Sequence, residues 1–208
     1  QQQSTGEIYW AVDTQTGPSE DALITGCSSI FKSLECAINA AQILGHSSDD
    51  WMQAKVRLGD ALLHKPERFD RTWESKARYS MDWFYPILGG VVSGNAAKQR
   101  LSAKWDTFVE PHLGCRCVAD QPWVTIAETC ELIMACVAAG EIDKARVLFT
   151  NIQQFQLGDG SWWTGYVFTD QVHWPDEKPT WTAAAVLLAA DALMDITAGA
   201  NLFTPKRA

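Results

Sequence analysis

The residues with chemical potential in this chain are carboxylates set beside tryptophans. Asp82 adjoins Trp83, Asp120 lies close to Trp123, Asp159 precedes Trp162, and Glu177 falls between Trp174 and Trp181. Two carboxylates flanking a glycosidic bond can divide the roles of acid and of base or nucleophile, while aromatic rings give the sugar faces a flat apolar surface. Glu128 and Glu131 stand three residues apart within an apolar stretch, a spacing that places both on one face of a helix. A carboxylate in such a setting must be paired or must face a cavity. The acid/base assignment that follows makes Glu128 the acid of raised pKa and leaves Asp82 ionised near Arg78, with Glu177 as a further carboxylate. Trp10, Arg78, Tyr79, Trp83, Trp123, Trp162, Tyr166 and Trp181 complete the candidate binding set. Each carboxylate also has a structural reading. Asp82, Asp120 and Glu177 precede helices and suit capping, and Asp159-Gly160 is a turn pair.

No metal or cofactor is expected. His46, His64, His112 and His173 are scattered singly, and Cys115-Arg116-Cys117 is too tightly spaced for a zinc knuckle. The six cysteines read as reduced, mostly buried thiols, because Cys27 and Cys36 share one expected helix and Cys130 and Cys136 another. A net charge of −8 without a Lys/Arg cluster argues against nucleic acid. The longest apolar run, residues 183–190, is too short to span a membrane and is expected to be a buried helix. No export signal is read at the N-terminus, so a cytoplasmic location is expected. Ten tryptophans in 208 residues point to aromatic loops packed over a pocket.

The elements that must position these groups read as helices throughout. Apolar residues recur at helical spacing over residues 25–44, closed by Gly45. Ser48 is placed to cap a second helix that ends before Pro66. A short helix follows Met81, and Asn95 is placed to cap one running through Phe108. Trp123 opens a strongly apolar helix to about Ala139, and residues 141–155 form an amphipathic one. The last helix runs from Pro179 to about Ile196. No strand alternation of any length is visible, so the chain reads as all-α with about seven helices. Apolar helices preceded by aromatic loops alternate with amphipathic ones, as two concentric layers require. The loops before the apolar helices would then gather at one end.

The pattern Gln156-x3-Gly160-x-Trp162, loosely echoed by Gln3, Gly6 and Trp10, resembles the glutamine–tryptophan repeat of terpenoid cyclases and protein prenyltransferases. GEIYWAVD, LITGCSSIFKSL, RYSMDWFYPILGG, KWDTFV, QPWVTIAETCELI, DGSWWTGYVF and PTWTAAAVLLAADAL extend the resemblance to bacterial prenyltransferase or squalene cyclase-like proteins. Those families share an α/α toroid with the six-hairpin glycosidases. The resemblance implies a single, partial α/α-toroid domain over residues 1–208, forming the C-terminal part of a longer chain. It also implies a pocket for a small molecule, and self-association through open toroid ends. The residues of isoprenoid chemistry are missing: Ser48-Asp49-Asp50 reads as a helix cap, and Gln53 stands where a diphosphate motif needs Asp. A prenyltransferase-like or cyclase-like protein is the leading expectation from the resemblance. A carbohydrate-active protein and a non-catalytic binding domain are the alternatives.

Overall fold

A computed structural model describes residues 1–204, and the chain divides into two compact units, residues 1–76 with 89–92 and residues 77–88 with 93–204. In the first unit a two-stranded ribbon, β1 (Val12–Asp13) and β2 (Gly17–Pro18), precedes a helical hairpin of α1 (Ile24–Leu44) and α2 (Asp49–His64). Gly45 ends α1 in the left-handed conformation that the sequence signal required, with φ of 73°. Ser48 occupies the position before α2, but its side chain makes no capping bond. Ala22, Cys27, Leu58, Ala61 and Phe69 form the core, flanked by Ile30, Phe31 and Leu34 from the α1 stripe.

Two carboxylates are buried in this unit, and both are satisfied. Glu7 is fully enclosed and accepts from Arg68 Nε at 2.9 Å and from Thr5. Burial opposes its charge, but the bonds from Arg68 and Thr5 outweigh that cost and hold the carboxyl below its usual range. Asp21 accepts from the backbone N–H groups of Ala22, Arg71 and Thr72 and from the Thr72 hydroxyl, which fixes the loop after Phe69.

The second unit holds α3 (Ser80–Leu88), α4 (Gly94–Phe108), α5 (Ile126–Ala138), α6 (Ile142–Ile152) and α7 (Thr180–Met194). It also contains a five-stranded antiparallel sheet of β3 (Val109–Glu110), β4 (Gly114–Arg116), β5 (Trp123–Thr125), β6 (Gly165–Val167) and β7 (Val172–His173), in that order. The fold is therefore mixed α and β, and the expectation of an all-α toroid is overturned. The strands are two or three residues long and lie inside the aromatic loops, too short for an alternating pattern to register in sequence. Trp123 is part of this correction. It begins β5, and α5 starts three residues later at Ile126.

Helix α5 packs on α3, α6 and α7 and is buried nearly all round. α7 differs from the buried helix expected of residues 183–190. Val186 and Ala189 are covered, but Leu187 is 70% exposed and Leu188 43%. The helix is apolar on every face, so sequence could not tell its packed side from its open one.

The sheet depends on a close approach at Gly165, which pairs with Thr125. A Cβ there would lie 2.4 Å from Trp123 Nε1 and 2.7 Å from the Val124 carbonyl oxygen. Gly165→Ala should destabilise the protein by about 1–3 kcal/mol, the usual cost of forcing extra atoms into a packed site. Gly158→Ala, where nothing lies within 4 Å of the added carbon, should be close to neutral. Thermal or urea unfolding of the two variants checks the contrast, and equal effects would contradict it.

Candidate active site at the shared start of three helices

Three helices of the second unit begin at one end, tied by backbone hydrogen bonds. The Ser80 N–H donates to the Cys117 carbonyl at 3.0 Å, and the Cys117 N–H donates to Trp123 at 3.3 Å. Ile126, the first residue of α5, donates to the Thr164 carbonyl at 3.1 Å, and Thr164 donates to Glu177 at 3.3 Å, just before α7. These links place the first turns of α3, α5 and α7 around the sheet, so their positive dipole ends face the same side. Asp82 in α3, Glu128 in α5 and Glu177 before α7 are thereby brought to one end of the unit.

Asp82 sits in the first turn of α3 and is 7% exposed. Its backbone carbonyl would normally accept from the N–H four residues on, but that residue is Pro86, which has none. Arg100 of α4 supplies the donor, with Nη2 3.0 Å from the Asp82 oxygen and Nε 2.7 Å from the Trp83 oxygen. Trp83 Nε1 donates back to the Arg100 carbonyl at 2.6 Å. The donor that the proline removes from the helix is thus made good by a neighbouring guanidinium.

Glu128 is half-buried and accepts from the Cys117 thiol at 3.5 Å. One turn further along, Glu131 accepts from the Tyr85 hydroxyl at 2.7 Å. Burial pushes Glu131 up to about 7; the Tyr85 bond opposes this and the negative field of Glu128 adds to it. Burial likewise pushes the Cys117 thiol up to about 12, helped by the charge and hydrogen bond of Glu128. The carboxyl lifted into the neutral range is Glu131, which the sequence reading placed on the right face but gave no role. Tyr85 escaped notice because it sits in the apolar run MDWFYP and reads as core.

The aromatic candidates separate by burial. Trp83 is 2% exposed and stacks on Phe108 with centroids 5.4 Å apart, and Trp162 is 6% exposed, so neither offers a ring face to a ligand. Trp123 is half-buried, its Nε1 donating to the Trp174 carbonyl at 2.9 Å and its ring meeting Trp174 edge-on. Trp181 is 54% exposed and Trp174, which the sequence reading did not select, 55%. Tyr166 pairs across the sheet with His173, whose ring stacks on Trp163 at 4.5 Å. Arg78 is exposed and bound through Nη2 to both oxygens of Asp120, at 2.9 and 3.0 Å, and its guanidinium lies over the Tyr79 ring. That pairing braces the strand connection next to α3. Trp10 belongs to the first unit, where it is exposed and meets Trp73 edge-on. Glu177 is exposed in its side chain.

Among the described residues no group of three or more His, Cys, Asp or Glu side chains is placed to hold a metal ion. No helix among them is long and apolar enough to cross a membrane. All six cysteines are free thiols, four of them buried.

No protein-family model matches the chain. It is similar to the MMP endo-(1,4)-3-O-methyl-alpha-D-mannosidase of Mycolicibacterium hassiacum, with 46% identity over 198 residues. The match covers 95% of this chain and 54% of that protein, so the chain spans about half the length of the curated relative it matches. A mannosidase is a glycosidase, and this finding overturns the resemblance to prenyltransferases and terpenoid cyclases. The glutamine–tryptophan pattern that carried it is a local device: Gln156 bridges to Trp162, and its side chain donates to the Gly160 carbonyl at 3.4 Å, closing the turn.

The Arg100 anchor yields a direct test. Arg100→Leu strands the Asp82 carbonyl, whose helical donor position is Pro86, and should cost about 1–3 kcal/mol, the penalty for an unsatisfied buried group. Pro86→Ala restores an N–H within α3, so the double variant should recover part of that loss. A double-mutant cycle in urea measures the coupling. Strict additivity would show that Arg100 does not stand in for the missing donor.

Proposed function

We propose that this chain contributes to a glycoside hydrolase that cleaves an α-linked mannoside polymer internally, with the site at the shared start of α3, α5 and α7. The observation that carries this reading is the similarity to the endo-mannosidase over 95% of the chain. The carboxylates and exposed tryptophans at one end supply what the chemistry needs. In glycoside hydrolysis one carboxylic acid protonates the departing oxygen, while a second carboxylate activates water or attacks the anomeric carbon. Glu128, half-buried at the start of α5, and Glu177, exposed before α7, are the proposed pair. Asp82 shares their end of the unit but is enclosed, and it would act from behind the first turn of α3. Trp181 and Trp174 are the proposed sugar platforms, with Trp123 holding Trp174 in place.

The ligand class is thus a carbohydrate rather than an isoprenoid. Coverage of about half of the relative fits a chain that is one part of a longer protein. Six thiols without disulfides fit a reducing, cytoplasmic compartment.

The test is incubation of the full-length protein with an α-(1,4)-linked 3-O-methylmannose polysaccharide, with products sized by mass spectrometry. Internal cleavage is expected. Glu128→Gln should lower kcat about a hundredfold or more, the usual contribution of a positioned proton donor or acceptor. Its KM should change little, and Leu187→Ala on the open face of α7 should leave the rate unchanged. An intact polysaccharide, or a Glu128→Gln variant at full rate, would overturn the proposal.

A further inference from the structure

Glu131 is the buried titratable group for which the hydrolytic scheme has no use. Its Oε1 is held by the Tyr85 hydroxyl at 2.7 Å, but its Oε2 is enclosed without a hydrogen-bond partner. The groups that face it are acidic or neutral: Tyr85 from α3, Glu128 and Cys130 from its own helix, and Cys117 from the segment after β4. Among the described residues no charge from α6 or α7, which also pack on α5, acts on it. An ionised carboxylate with one bare oxygen, no cation and a second carboxylate one turn away is costly in such a place. A proton removes that cost, because only the neutral acid leaves the pair with a single charge.

We propose that Glu131 is a positioning residue that keeps a proton beside Glu128, with the Tyr85 hydroxyl selecting the oxygen that remains the acceptor. With Glu131 neutral, that face of α5 carries no more than a single negative charge. The part of this inference that concerns catalysis rests on the glycosidase reading, whereas the protonation state does not.

Burial raises Glu131 from an ordinary 4.5 to about 7 in the folded protein. Between these values the folded state binds more protons than the unfolded one. The stability this group contributes is therefore full below the lower value and is lost as pH rises through the upper one.

Difference infrared spectroscopy of the folded protein reads the protonated carboxyl directly. The wild type should show an acid C=O band that persists at pH 6 and disappears as pH rises through about 7. Glu131→Gln should abolish that band and flatten the matching fall in Tm with pH, while Glu128→Gln should keep the band and shift it to lower pH. Should Glu131→Gln fail to fold, Tyr85→Phe is the second variant. It removes the hydrogen bond that favours the ionised form, so its band should survive to higher pH. In the activity assay Glu131→Gln should hold kcat within a few-fold at pH 6 and move the alkaline limb of the rate profile upward. Absence of the band from the wild type at pH 6, or its indifference to both Glu131→Gln and Tyr85→Phe, would overturn the proposal. An intact band in a protein that cleaves no mannoside would support the protonation inference and count only against the glycosidase reading.

Discussion

Everything in the second unit follows from the enclosure of α5. Ten of its thirteen residues are buried, so the stripe carrying Glu128 and Glu131 is where polar atoms had to be accommodated. The helix cannot shift without disturbing α3, α6 and α7 together. Its first turn is fixed in turn by the bond from Ile126 to Thr164 and by β5 directly before it. Burial on this scale makes the two glutamates expensive, and the arrangement around them reads as the response. A thiol and a phenol meet one oxygen each, and the carboxyl deepest in the packing is lifted toward neutrality.

The same logic of compensation runs through the first turn of α3. Pro86 lies inside this helix and removes the donor that the Asp82 carbonyl needs. Arg100 answers from α4, and Trp83 returns a bond to it, which explains why this tryptophan is packed rather than presented to a ligand. Local economy of this kind is what lets a carboxylate and an aromatic ring sit side by side at a helix start without serving the same purpose.

Much of the helical skeleton was legible in the residues. The stripe of Ile30, Phe31 and Leu34 with Gly45 located α1, and the run around Leu132 and Ile133 marked α5 as the buried helix. The strands were not legible, because register over two or three residues is set by partners elsewhere in the chain, as Thr125 opposite Gly165 shows. The family was misjudged for a related reason. Gln156, Gly160 and Trp162 close a turn, and a turn of that kind says little about chemistry. The pairing of aromatics with carboxylates pointed to the carbohydrate alternative, but it did not separate packed rings such as Trp83 and Trp162 from open ones. Sequence could not say which tryptophans are open. Trp181 and Trp83 both stand in the opening turn of a helix, and only packing separates one that is 54% exposed from one that is 2% exposed.

The central claim is that the shared start of α3, α5 and α7 is where a mannoside is held for cleavage. The most direct measurement is a crystal structure of the inactive Glu128→Gln protein with a 3-O-methylmannose oligosaccharide bound. The account predicts sugar density at that end of the unit, with a glycosidic oxygen within hydrogen-bond reach of residue 128 and a ring resting on Trp181 or Trp174. Oligosaccharide bound only at a distance from α5, with residue 128 and both tryptophans untouched, would contradict it.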